Sequence, residues 1–129
     1  HRPCGHMLDL HHYPGPAMKL FDPQRVNVLG EYGGIGLALE GHLWWNKRNW
    51  GYVQFKNAEQ VTAEYEKYAR NLAKFVRLGF SGAVYTQTTD VEGEVNGLFT
   101  YDRKVMKVIP ERIKAANEAV IRSMSLEME

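Results

Sequence analysis

The sequence predicts an α/β fold in which short parallel strands alternate with helices. Three observations carry that expectation. Short apolar runs, MLDL at Met7 to Leu10 and VNVL at Val26 to Leu29, are each closed by loop residues, which suits buried parallel strands. One long segment, about Ala58 to Leu78, has apolar residues at helical spacing. The elements follow one another as strand, loop, strand, helix, strand, helix, the order of βα units around a parallel sheet.

The first strand runs from Met7 and ends near Tyr13, because Pro14-Gly15-Pro16 is strong loop punctuation. Asp22-Pro23 marks a further turn, and the second strand starts at Val26 and closes on Gly30-Glu31-Tyr32-Gly33-Gly34. From Ile35 to Phe55 the pattern is irregular and carries Trp44, Trp45, Trp50 and Tyr52, which reads as a long loop with a short helix around Leu39 to Trp45. Asn57 stands as an N-cap with Gln60 in capping-box register. Val61, Tyr65, Tyr68, Leu72, Phe75 and Val76 then share one face, and Gly79 sits where a C-terminal cap belongs. Gly82 to Thr88 is the third strand. Pro110 opens the last helix, with Ile113, Val120, Ile121 and Met124 on one side.

The bulk composition bounds the function. With 129 residues, 44% of them hydrophobic, the chain is one domain at most and has enough apolar content for a core. Sixteen basic and 15 acidic residues, with no basic run longer than two, give no electrostatic footprint for nucleic acid. No apolar stretch approaches the roughly 18 residues needed to cross a membrane. A single cysteine, Cys4, excludes an internal disulfide framework. His1, Cys4, His6, His11 and His12 fall close together, but their spacing matches no zinc-ligand pattern, so neither metal nor other cofactor is expected. The opening HRPCGH has no initiator Met or signal peptide and reads as the interior of a longer protein.

Polar residues gather where the strands end: His11, His12 and Tyr13 after the first, Glu31 after the second, Gln87, Asp90, Glu92 and Glu94 after the third. Ligand chemistry in parallel α/β folds sits at the carboxyl ends of strands. Acids, imidazoles, an amide and phenols around one mouth suit a sugar, whose hydroxyls need paired donors and acceptors and whose C–H faces lie on aromatic rings. Glu92 and Glu94 read more simply as a solvated acidic loop.

VNVLGEYGG, followed some fifty residues later by GAVYTQTTDVEGEVNGLFTYDR, resembles glycoside hydrolase family 2, the family of β-galactosidases, β-glucuronidases and β-mannosidases. Asp9 to Pro14 supplies the family's Asp-x-His-x-Tyr-Pro, and the likeness covers about Leu8 to Lys107. It implies a partial (β/α)₈ barrel, strands six to eight with their helices, filling residues 1–129. It also implies retaining hydrolysis of a β-linked hexoside, with Glu31 as nucleophile and Tyr13 as the tyrosine that hydrogen-bonds it. Tyr85 falls near an aromatic that floors the sugar subsite, although the family usually has Trp there. His11, His12, Trp44, Trp45, Gln87 and Asp90 complete the candidate sugar contacts. The family's acid/base, a Glu in an Asn-Glu pair, has no counterpart here. Glucuronide-cleaving members carry Asn-x-Lys just before the eighth-strand glycine; Glu94-Val95-Asn96 stands there instead, so a neutral hexoside is expected.

The partners expected are therefore a carbohydrate and either the missing barrel half or a second copy joined at strand edges. A periplasmic or extracellular location is favoured for the parent protein, and the isolated chain is expected to be inactive. The rival reading is a non-catalytic carbohydrate-binding or structural half-barrel.

Overall fold

The computed structural model describes residues 4–125. Its principal sheet has three parallel strands in the order β1-β2-β5: β1 is Met7–His11, β2 is Val26–Gly33 and β5 is Phe80–Thr86. Two further short strands, β3 (Ile35–Gly36) and β4 (Val53–Gln54), pair in parallel as a second sheet. Helix α1 spans Ala58–Arg77 and α2 spans Pro110–Ser125.

The expected partial (β/α)₈ barrel is not what forms. A barrel fragment repeats strand and helix, whereas the described residues form two helices for a three-stranded sheet plus a separate two-stranded one. Residues 12–25 join β1 to β2 with no helix at all. The cause is local: Pro14, Pro16 and Pro23 lack the amide hydrogen that a helical turn needs. The architecture is a small mixed α/β arrangement, with β1 and β5 as open sheet edges. The short helix expected around Leu39 to Trp45 is also absent, replaced by turns and bends.

The rest of the order agrees with the sequence. Asn57 caps α1 by accepting the Gln60 amide at 2.9 Å, and the Gln60 side chain reaches back to the Lys56 amide at 2.9 Å. Such a cap stabilises a helix by about 1 kcal/mol. Val61, Tyr65, Tyr68 and Leu72 turn inward along α1 to meet Leu29, Tyr32 and Phe80 of the sheet and Ile113 of α2. Each fully buried aliphatic side chain is worth about 1.5–3 kcal/mol, so this one layer supplies most of the cohesion. Arg112 on α2 grips Glu66 on α1 through two parallel hydrogen bonds of 2.7 and 2.6 Å, and the pair holds the Glu66 carboxyl below the usual range. Ile121 and Met124, placed on the apolar side by periodicity, remain exposed at the far end of α2.

Asn27 explains how a proline-rich crossover docks reproducibly. Its side chain is buried at the start of β2, accepts from the Asp22 amide and donates to the Asp22 and Arg25 carbonyls. A buried amide is tolerated only when satisfied in this way. At the other end of β2 the chain turns a corner at Gly33 and Gly34, with φ of 126° and 74°. A side chain at Gly34 would also collide with the ring and Cβ of Tyr52. That corner sends the chain from the main sheet into β3 and brings β4 back beside the end of β2.

Candidate functional site

The helix layer covers one face of the main sheet and leaves the other open, with Met7, Val26 and Val84 exposed on it. Glu31 lies at the carboxyl end of this sheet, half-exposed. Its backbone carbonyl accepts the His12 amide at 2.9 Å, which fixes the end of β1 beside it. Its carboxylate has two neighbours. The Tyr13 hydroxyl donates to Oε2 at 2.7 Å, and His11 Nδ1 stands 3.6 Å from Oε1. The other nitrogen of His11, Nε2, is 3.1 Å from Asp9 Oδ2. The imidazole therefore stands between two carboxylates, hydrogen-bonded to Asp9 and within ion-pair distance of Glu31. Asp9 occupies the space where a side chain on Gly30 would be, so glycine at that position is what admits the carboxylate.

Burial pushes the Tyr13 hydroxyl up to about 12, with the Thr86 side chain pulling it back and the Glu31 carboxylate adding to the rise. The sign is chemically useful. Tyr13 keeps its proton throughout the physiological range and so remains a donor to an ionised Glu31.

An aromatic column leads away from this pair. Tyr13 stacks on Tyr52 with centroids 4.0 Å apart and planes 10° from parallel, and Tyr52 meets Trp50 edge-on at 5.6 Å. Trp50 and Tyr52 were visible in the sequence as part of an aromatic loop but were not singled out. Only the backbone shows why they matter, because the corner at Gly34 and the β3-β4 pairing bring residue 52 back to residue 13.

The remaining candidates lie elsewhere. His12 Nδ1 is 2.6 Å from the Gly15 carbonyl, an acceptor, so that nitrogen carries the proton and the ring braces the Pro14-Gly15-Pro16 turn. Tyr85 packs edge-on to Tyr32 at 5.5 Å and against Tyr65 at 4.9 Å, among the side chains facing the helix layer. Gln87 donates to Asn96 Oδ1 at 2.8 Å, and Asn96 donates in turn to Glu94 at 2.8 Å, so this amide chain shapes the 87–97 loop. Trp44 leans on Tyr101 at 5.7 Å, and Trp45 is about half exposed.

Asp90 is a buried clamp. One of its oxygens accepts from the Gly97 amide at 2.7 Å and from Lys107 Nζ at 2.7 Å. Lys107 is fully buried and also donates to the carbonyls of Leu37 and Val95, both at 2.9 Å. Burial raises the Asp90 carboxyl and lowers the Lys107 ammonium, while each ion opposes the shift of the other.

Of the grouping His1, Cys4, His6, His11 and His12, His1 lies outside the described residues; among the described residues no three His, Cys, Asp or Glu side chains group so as to hold a metal. Also among the described residues, no helix is long and apolar enough to cross a membrane. The candidate site thus reduces to Glu31, Tyr13, His11 and Asp9, with Tyr52 and Trp50 beside them. Compared with models of protein families and with curated proteins, the chain matches none.

Proposed function

We propose that Glu31 is the nucleophile of a retaining glycoside hydrolase acting on a β-linked neutral hexoside. The observation that carries the reading is the 2.7 Å hydrogen bond from the Tyr13 hydroxyl to the Glu31 carboxylate at the end of β2. A carboxylate that attacks an anomeric carbon must be ionised and open to substrate. A charge-assisted donor that holds its own proton supports the first, and half-exposure supports the second. In the proposed step Glu31 attacks C1, the C1–O bond breaks, and the electron pair leaves with the aglycone oxygen. Water later releases the sugar from the ester with net retention. The resemblance of the Gly30-Glu31-Tyr32-Gly33 and Asp9–Pro14 stretches to glycoside hydrolase family 2 adds to this reading.

Retaining hydrolysis needs a second carboxylic acid about 5–5.5 Å from the first. Asp9 is tied to Glu31 only through His11, and both acids contact that one imidazole. We assign protonation of the leaving group to a partner polypeptide docking at an open sheet edge, and expect the chain alone to hydrolyse ordinary glycosides undetectably.

The test avoids the missing acid. A 2,4-dinitrophenyl 2-deoxy-2-fluoro-β-hexoside has a leaving group that needs no protonation and gives a long-lived glycosyl ester. The protein should gain one fluorosugar mass on a peptide containing Glu31, and Glu31→Gln should abolish it. Turnover of the non-fluorinated dinitrophenyl glycoside should fall on the order of 10³-fold or more in that variant. Labelling on another residue, or more than about a tenth of the activity surviving in Glu31→Gln, would overturn the assignment. Sugar binding without any labelling would favour the non-catalytic reading.

A further inference from the structure

We infer that Trp50 is the stacking platform for the sugar ring at this site, resting on the glycosidase reading of Glu31 but assigning a subsite which that reading does not contain. The argument starts from exposure. The rings of Tyr32, Tyr65 and Tyr68 are buried in the core, whereas Trp50 and Tyr52 remain 46% and 49% exposed. Isolated exposed aromatics need no explanation, but these two continue a column whose first ring, Tyr13, is hydrogen-bonded to the catalytic carboxylate.

The backbone beneath them is held firmly. The Trp50 amide donates to the Gly93 carbonyl at 2.8 Å, and the Trp50 carbonyl accepts from the Val95 amide at 2.9 Å. Three residues on, the Val53 amide donates to the Gly34 carbonyl at 3.1 Å. The indole is therefore a large apolar surface on an anchored backbone, backed by Tyr52 and about half open to water. The same segment offers a contrast: Trp44 is more exposed, at 60%, but its ring leans on Tyr101, outside the column of Tyr13, Tyr52 and Trp50.

The chemistry identifies the occupant. A β-hexopyranose presents one apolar C–H face and a rim of hydroxyls. An indole takes the face, and the charged cluster of Asp9, His11 and Glu31 takes hydroxyls and the anomeric centre. Tyr52 acts as a spacer, setting the offset between platform and nucleophile through its stack on Tyr13.

Saturation-transfer NMR tests the assignment, with irradiation of the protein's aromatic protons and methyl β-galactopyranoside, β-glucopyranoside and β-mannopyranoside as probes. The best-bound probe should receive saturation mainly on the protons of one C–H face. Trp50→Ala should weaken its binding about tenfold and abolish that face pattern, Trp50→Phe should restore part of both, and Trp44→Ala should change neither. Circular dichroism of each variant checks folding. Binding that survives Trp50→Ala, or that falls equally in Trp44→Ala, overturns the platform and leaves the nucleophile standing. Failure of all three probes to bind the unaltered protein, together with absent fluorosugar labelling, overturns the glycosidase reading and the platform with it.

Discussion

Glu31, near the end of β2, and Asp90, in the loop after β5, are both acids towards the carboxyl end of the main sheet, and the protein uses them in opposite ways. Asp90 is almost wholly buried and shares one oxygen between the Gly97 amide and the Lys107 ammonium, whose two other hydrogen bonds go to carbonyls. That oxygen and the ammonium are both engaged within the chain, which commits the cluster to holding the loops together. Glu31 is half-exposed, takes one short hydrogen bond from Tyr13, and has His11 waiting at a distance longer than a hydrogen bond. An acid of the first kind holds two loops together. An acid of the second kind keeps capacity for a substrate. Burial with full satisfaction marks structure, and exposure with partial satisfaction marks chemistry.

The sharpest way to break that contrast is Lys107→Met. If the buried pair is structural, losing the ammonium strands Asp90 and frees two carbonyls, and unfolding free energy should drop by about 3–5 kcal/mol. Adding Asp90→Asn should return a good part of the loss, since the uncompensated charge disappears. Urea denaturation of the single and double variants reads both numbers. A single variant as stable as the parent would show that the clamp is idle.

A smaller effect is expected at the open acid. Tyr13→Phe keeps the stack on Tyr52 and deletes only the donor to Glu31. Hydrogen bonds to charged groups contribute about 1.5–3 kcal/mol, so turnover of the dinitrophenyl glycoside should fall roughly 10- to 100-fold. Melting should barely change. An unaltered rate would reduce Tyr13 to packing.

The smallest effect concerns Asp102, a part-buried acid with structural partners and so a test of where the contrast blurs. The Thr100 hydroxyl first, at 2.6 Å, and His42 second, at 2.9 Å, hold its carboxyl well below the usual range. A carboxyl depressed in the folded state stabilises the fold above its unfolded pKa, about 3.9, and that contribution disappears as pH falls through the folded value. Asp102→Asn should therefore lower the urea midpoint slightly at pH 7 and leave it unchanged at the acid end. Equal loss at both ends would mean that geometry, not charge, is at work.

Periodicity and punctuation made most of the secondary structure legible. The Asn57 cap, the α1 face and the three principal strands all follow from residue spacing, because each depends on neighbours within a few positions. The barrel did not follow. It came from a likeness of motifs, while the Pro14-Gly15-Pro16 stretch already excluded one of the helices a barrel requires. At the site, the pairing of Glu31 with Tyr13 was an implication of the family resemblance, and adjacent parallel strands ending side by side are what bring the two together. Trp50 could not be told from Trp44, because what separates them is a backbone corner at Gly34 and pairing between residues eighteen apart. Asp90 was likewise indistinguishable from a ligand-binding acid without knowing that Lys107 would be folded in beside it.

That corner has a consequence for how the site could change over generations. Glu31 stands on the main sheet, Tyr52 and Trp50 stand just before the second, and the corner between the two sheets is made by Gly33 and Gly34. Exchanging side chains can alter what either half touches, but the spacing between the halves belongs to the main chain. A lineage seeking a larger ligand would find its easiest variation in the 37–52 loop, which can lengthen or shorten while its ends stay paired. A lineage that lost glycine at position 34 would displace Tyr52, and with it the register between the two halves, in a single step.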